Sequence, residues 1–370
     1  MSENRIAYLD AARTFAALMG IVLHAACGYM KFAIAEWPRY GAEYNIFFDY
    51  LVGIIHLIYM PAYFFLAGFF CHLLNKKLKF LGFTVNRLKR IVLPLLIFST
   101  LIHLRLLISS LFLNQIHSLK DLLLIYNNVS YLWFLEYLLI YYIFYLLIMP
   151  LMSRATISRL FDAPTSYWIN SRWSFITIVG LQALLLYLSN AWYIPVILSI
   201  IPGFYLLLMY AIYFLLGVLV MQYNVFEKFF RVQLKYCVSG FIVFGLYFII
   251  MQTKSDSEII RSIAIVLYSF SGYLLLLSFF GGCVKFFPLK NRLIRYCADA
   301  SYWMYLSQIY FILIVHDITA RFLNSIFAQF LVIFVVTTLL TLITYPVFFR
   351  RPSQLRASFP LTSVSVGKGN

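Results

Sequence analysis

Ten long stretches almost free of charge recur along this 370-residue chain, and they constrain its fold more than any motif does. They lie near 8–30, 46–74, 91–113, 131–152, 174–190, 192–221, 235–252, 261–282, 298–316 and 326–349. A helix needs about 20 mainly apolar residues to cross a bilayer. Only helices and closed barrels satisfy every backbone group in hydrocarbon. These runs are too long and too continuous for the alternating strands of a barrel. The expected fold class is therefore all-α: a polytopic integral membrane protein with about ten transmembrane helices in one bundle. That domain should fill residues 1–350. Residues 351–370 should form a basic cytoplasmic tail, flexible in solution. Composition agrees, with 63% hydrophobic and 11% charged residues. Soluble domains carry about 25% charged residues, and one soluble core could not bury this much apolar surface.

The charges orient the spans. With the N-terminus inside, 21 of the 29 Lys and Arg fall on the inner side, and six, Lys31, Arg39, Lys120, Lys254, Arg261 and Arg321, on the outer side. Arg13 and Arg105 lie within spans. Every inner gap is basic, as the positive-inside rule requires. Both termini are therefore expected in the cytoplasm. The net charge of +16 thus reads as membrane orientation. No patch combines length, charge and exposure in the way nucleic-acid binding needs.

Other classes drop out in turn. The five cysteines, Cys27, Cys71, Cys237, Cys283 and Cys297, form no CxxC spacing. Neither a disulfide framework nor a metal site is expected. The first run is interrupted by Arg13 and preceded by a poor basic region, so it reads as a span rather than a cleaved signal. The Asn128-Val129-Ser130 sequon is a chance match. The chain has no GxxxxGKS/T, HExxH or GxSxG pattern,.

The informative residues are the ionisable ones inside spans, since a charge at mid-bilayer costs at least about 2.5 kcal/mol. The first span holds Asp10, Arg13 and His24. Arg13 and His24 are eleven positions apart, which on a helix is about 20° past three turns and about 16 Å of axis. They share one face at two depths, and Asp10 is placed to pair with Arg13. A permanently charged guanidinium suits a phosphate or carboxylate. An imidazole suits proton transfer or acyl capture. These residues alone also permit a snorkelling arginine and a histidine bonded inside the bundle.

The second span adds Asp49 and His56 on one face, Pro61, and the small pair Ala67-Gly68, which permits close helix contact. His72 is expected at the interface. Glu136, about five residues into the fourth span, reaches a depth similar to that of His24 and could orient it. Trp133 and Tyr131 beside it also suit an interfacial belt. Arg87, Lys89 and Arg90 open the third span before Pro94, as positive-inside charge or as a phosphate site. The ninth span is unusually polar, with Asp299, Ser301, Tyr302, Tyr305, Ser307 and Gln308.

Five segments in order carry a resemblance. Tyr8-Leu9-Asp10-Ala11-Ala12-Arg13 followed by His24 resembles the Arg-x10-His first helix of the acyltransferase-3 family. Residues 55–70, with His56, Met60-Pro61 and Gly68, resemble its second helix. Arg87-Leu88-Lys89-Arg90 with Pro94, Tyr131–Leu135 and Ala300–Leu306 match further family patterns. The likeness spans about residues 5–350 and is nearest to the branch of glucan biosynthesis protein C, which succinylates periplasmic glucans.

The resemblance implies a bacterial inner-membrane enzyme with no bound cofactor. It would take an acetyl or succinyl group from cytoplasmic acyl-CoA to a hydroxyl of a periplasmic or cell-surface glycan. His24 and Glu136 would be catalytic. Arg13, Arg87 and Arg90 would bind the donor. Asp10, Asp49, His56, Trp133, Tyr305 and Gln308 would line the site or meet the acceptor. The chain departs from the family at Tyr59, where many relatives carry Arg, at Gln308, where many carry His, and at Pro346, where close relatives often carry an acidic residue. The competing function class is a transporter or flippase using the same polar track as a conduit.

Overall fold

The computed structural model describes residues 6–32, 43–78, 80–112, 118, 127, 130–152, 155–230, 234–253 and 255–349. The tail at 351–370, the sequon asparagine Asn128, and Arg5, Arg39, Lys79, Lys120, Arg154, Arg231 and Lys254 lie outside the described residues.

Among the described residues the regular structure is helical, with no strand. The helices are α1 Ala7–Cys27, α2 Ile46–Lys77, α3 Phe80–Arg87, α4 Leu93–Phe112, α5 Trp133–Met152, α6 Ala155–Asn170, α7 Trp173–Leu188, α8 Phe204–Gln222, α9 Leu234–Gln252, α10 Glu258–Phe286, α11 Arg292–Phe322 and α12 Ile326–Phe349. Each expected span falls on a helix. Among the described residues, eight segments are long and apolar enough to cross a membrane, or nine if α7 is counted with the end of α6 across an 89° bend. The count differs from ten for two physical reasons. Helix α7 has only 16 residues, too few to span alone. Helix α11 is long enough at 31 residues, but Ser301, Tyr302, Tyr305, Ser307, Gln308 and His316 lower the hydropathy of its uncharged middle.

The sixth span is also shorter than expected. Instead of a tight turn, residues 189–203 leave the helical path, and α8 starts at Phe204. Asn190 adopts φ 56°, and Pro195 and Pro202 cannot continue a helix. Backbone freed at membrane depth must be bonded by protein. Here tyrosines do it: the Ile194 and Gly203 N–H groups donate to the hydroxyls of Tyr268 and Tyr137 at 3.4 and 3.2 Å.

Helices α3 and α4 are joined through one π turn, Leu88–Val92, in which the Leu93 N–H reaches back to the Leu88 carbonyl. Pro94 follows immediately. Its ring would clash with the carbonyl of Arg90 in a regular helix, and the wider turn relieves that crowding.

The chain forms two compact units. The first comprises Met1–Tyr63, Phe230–Phe241 and Leu274–Asn370; the second comprises Phe64–Phe229 and Ile242–Tyr273. In the first, α11 packs against α1 and α12. In its most apolar window α1 is 67% buried, whereas the uncharged α12 is only 22% buried. The polar helix is thus shielded and an apolar one faces outward, with Ile343 and Val347 66% and 76% exposed.

The second unit is organised on aromatic rings. Phe64 stacks on Tyr210 at 4.5 Å and meets Phe134 and Tyr141 edge-on at 4.8 and 5.5 Å. Beside this cluster α2 and α8 come into backbone contact through two glycines. A Cβ on Gly68 would stand 1.9 Å from the Phe214 carbonyl oxygen, and one on Gly217 would stand 2.0 Å from that of Phe65. The close contact expected at Ala67-Gly68 is therefore present, and Gly217 is its partner. Gly217→Ala should destabilise the protein by at least about 2–3 kcal/mol, since backbone rather than a movable side chain must shift. Gly245→Ala, whose Cβ meets nothing within 4 Å, should be neutral or slightly stabilising. Thermal unfolding of the two variants in detergent, each beside wild type, checks both.

Candidate functional site

The first unit assembles its polar residues from α1, the first half of α2, and α11. Helix α1 contributes Asp10, Arg13 and His24. Helix α11 contributes Ser301, Tyr305 and Gln308, spaced four and three apart and so on one face. All three are at most 5% exposed. The two helices meet at two levels. At the lower level the Arg13 guanidinium donates to the Ser301 hydroxyl at 3.3 Å, and the neighbouring Thr14 hydroxyl donates to the Ile294 carbonyl at 3.0 Å. At the upper level the Gln308 carboxamide comes within hydrogen-bonding reach of the His24 imidazole. Both helices advance from the lower level to the upper in the same chain direction, so within the unit they run parallel.

Helix α2 closes the upper level. Tyr59 is 1% exposed, and its hydroxyl also lies within reach of Gln308. Its ring sits over Gly20, where a Cβ would meet the ring and hydroxyl at 2.8 Å. Gly20 is one turn below His24, and its carbonyl faces the imidazole. A carbonyl can only accept, so it suits a ring N–H of His24. His56 lies near His24 as well, and its Nε2 is buried without a hydrogen-bond partner. Tyr63 links the two levels: its ring meets that of Tyr59 edge-on at 5.0 Å, and it lies in the field of Arg13.

The structure thus brings together Arg13, His24, His56 and Gln308 from the expected set, with Asp10 and Tyr305 on the same helices. Sequence reasoning gave no role to Gly20 or Tyr63. The spacing of Tyr59 and Tyr63, one turn apart on the His56 helix, was the available signal for the latter. Asp49 is occupied differently from the other candidates. It is 5% exposed, and its two carboxylate oxygens accept the backbone N–H groups of Lys31 and Phe32 at 2.8 and 2.9 Å. It clamps the segment that follows α1.

The remaining candidates belong to the second unit. Arg87 is buried, donates to the Tyr142 hydroxyl at 3.4 Å and to Asn86 Oδ1 at 2.7 Å, and stacks over the Phe83 and Tyr142 rings. Arg90 is half-buried and stands close enough to Tyr142 to be felt electrostatically. The two arginines flank the start of the π turn. Trp133 is part of the aromatic core, against Tyr137 at 5.3 Å and Tyr210 at 5.5 Å. Glu136 is half-buried, and its Oε2 has no hydrogen-bond partner. His72, expected at the interface, is instead 2% exposed and hydrogen-bonded through Nδ1 to the Tyr145 hydroxyl at 3.0 Å. That tyrosine supplies the partner that makes burial affordable in energy.

No group of three or more His, Cys, Asp or Glu among the described residues could hold a metal ion. The model of one family, described as an acyltransferase domain, matches residues 6–346. No curated protein and no solved structure matches.

Removing the Asp49 clamp should loosen the structure without touching the polar levels. Asp49→Ala leaves two N–H groups unpaired and should cost about 1–3 kcal/mol. Asp49→Asn, which keeps one acceptor, should lose less. Unfolding midpoints measured in detergent should rank wild type, Asn, Ala.

Proposed function

The chain belongs to the acyltransferase-3 family, its acyltransferase domain filling residues 6–346, and from that premise we propose a membrane-bound O-acyltransferase that takes an acetyl or succinyl group from cytoplasmic acyl-CoA to a glycan hydroxyl on the periplasmic side. The family match carries the reaction class. The supporting observation in the molecule is the line of contacts from Arg13 with Ser301 to His24 with Gln308 inside one unit.

With both termini in the cytoplasm of a bacterial inner membrane, Arg13 stands at the inner level and His24 in the outer half. Arg13 pairs with anionic groups of the donor, for which a guanidinium is suited. In direct transfer, the acceptor hydroxyl oxygen attacks the thioester carbonyl carbon while His24 takes its proton. The C–S bond then breaks, and the CoA thiolate recovers that proton from the imidazolium. In the carrier route the imidazole nitrogen attacks first, the C–S bond breaks and the CoA thiolate takes the ring N–H proton; the hydroxyl then attacks the acyl-imidazole, the C–N bond breaks, and the hydroxyl proton returns to the imidazole. His56, Tyr305 and Asp10 would complete the lining. A dicarboxylic acyl group, which the sequence resemblance to the glucan-succinylating branch implies, would be complementary to the Arg13 guanidinium.

The test is purified protein in liposomes with radiolabelled acetyl-CoA or succinyl-CoA trapped on the side of the basic loops and glycan outside. Label should reach the glycan with wild type and fall by at least about 10³-fold in His24→Ala, the scale of losing an essential acid–base or nucleophilic group. Arg13→Ala should chiefly raise the KM for the donor. Label trapped on the protein before glycan is added marks the carrier route. Movement of an intact glycan or lipid with no acyl-CoA consumed, unchanged in His24→Ala, would place a conduit ahead of an enzyme.

A further inference from the structure

Beyond the polar levels, at the end of α1 that carries His24, the first unit has an open cleft of about 770 Å³. Its walls are the segment after α1, the start of α2 and the start of α12. Lys31 and Glu43 line it together with Asn45, Ile46, Ser325 and Phe327. Hydrogen bonds fix these walls. Asp49 holds the Lys31 backbone N–H at 2.8 Å. The Asn45 N–H donates to the Tyr29 carbonyl at 3.0 Å. The Tyr29 hydroxyl donates to Gln329 Oε1 at 2.9 Å, and Gln329 Nε2 donates to the Leu323 carbonyl at 2.6 Å. A concave site of about 300–1,000 Å³ with a few fixed polar groups is the usual form of a small-ligand site.

The position of the cleft narrows the ligand. Helix α12 has 24 residues. At 1.5 Å per residue that is about 36 Å, against a hydrocarbon layer about 30 Å thick. Its first turn therefore reaches the headgroup layer. From Phe327 an apolar ridge runs along α12 through Leu331, Val335, Leu339 and Ile343, all exposed, as one row at four-residue spacing. The cleft thus continues into a surface that lipid tails cover.

Its polar groups sort by charge. The Asn45 Oδ1 is taken by the Phe47 N–H at 2.9 Å, and the Ser325 hydroxyl oxygen accepts the Ala328 N–H at 3.5 Å. The Asn45 amide N–H groups and the Ser325 O–H remain as donors. With the Lys31 ammonium they suit a phosphate. Glu43 would repel a simple anion and suits a cation. A ligand with a phosphate and a primary ammonium a few bonds apart, carried on acyl chains, answers both charges and the ridge.

We propose that this cleft binds the headgroup of one zwitterionic aminophospholipid of the phosphatidylethanolamine class. Lys31 meets the phosphate, with Asn45 and Ser325 donating to its oxygens. Glu43 accepts from the ammonium, and one acyl chain lies along the α12 ridge. The site uses neither Arg13 nor His24 nor Gln308, so it stands apart from the acyl-transfer reading.

The test is delipidated, purified protein in detergent, titrated with dioleoyl phosphatidylethanolamine, phosphatidylglycerol or phosphatidylcholine, with bound lipid counted by native mass spectrometry. Phosphatidylglycerol lacks the cation, and phosphatidylcholine lacks its N–H donors. Wild type should saturate with one phosphatidylethanolamine, at least about fivefold tighter than either rival, the scale of one charge at a membrane surface. Glu43→Gln should bring phosphatidylethanolamine and phosphatidylglycerol within about twofold of each other, and Glu43→Lys should turn the preference to phosphatidylglycerol. Lys31→Gln should weaken both by about fivefold. Glycerophosphoethanolamine, the headgroup without chains, should bind at least about tenfold more weakly than the lipid. Lys31 and Glu43 are exposed, so unfolding midpoints without lipid should not move. Binding that does not saturate, phosphatidylglycerol held as tightly as phosphatidylethanolamine, or a preference unchanged in Glu43→Gln would each overturn the proposal. A soluble glucan that displaces the bound lipid one for one would make the cleft a glycan subsite and overturn it as well.

Discussion

Hydrocarbon offers no partner to a guanidinium, an imidazole or a carboxamide, so a helix carrying these groups must present them to another helix that answers in kind. In this protein the answer is the pairing of α1 with α11. Arg13 finds Ser301 and Thr14 finds Ile294 at one level, and His24 finds Gln308 at the other. Helix α12 carries a carboxamide, Gln329, that is answered by the Tyr29 hydroxyl and the Leu323 carbonyl, and its apolar remainder is free to cover the outside of the unit. The arrangement of the first unit follows from which helices can tolerate lipid and which cannot.

The second unit solves a different problem. Lipid gives little hydrophobic reason for apolar helices to associate, so packing and hydrogen bonds must do it. Gly68 and Gly217 let α2 and α8 touch along the backbone, and aromatic rings fill the space around them. Tyrosines then serve twice, as packing surface and as hydrogen-bond partners: Tyr141 donates to the Leu207 carbonyl at 2.6 Å, Tyr213 donates to Gln182, and Tyr137 and Tyr268 accept from the irregular backbone before α8. The high tyrosine content, 29 residues, has its physical use here.

The candidate site was partly legible beforehand because helical periodicity is strict. Eleven positions between Arg13 and His24 place them on one face whatever surrounds them. The polar run in the ninth span was visible too, but hydropathy alone undervalued it: the residues that make α11 functional are those that disqualify it as an apolar span. Asp49 shows another way for such a group to be held. A carboxylate in a span signals function by its cost, yet that cost is met locally by the two backbone N–H groups of Lys31 and Phe32.

The sequence by itself determined the helical class, the membrane as solvent, the family, and the shared face of Arg13 and His24. These depend on hydrophobicity and on periods set by backbone geometry, which act within one segment. Tertiary structure alone decided that Gln308 and Tyr59 stand beside His24, that Gly20 makes room for the Tyr59 ring, and that His72 is a core residue bonded to Tyr145. Each of these depends on which helix neighbours which and at what height, and residues nearly 300 positions apart carry no local signal of their distance in space.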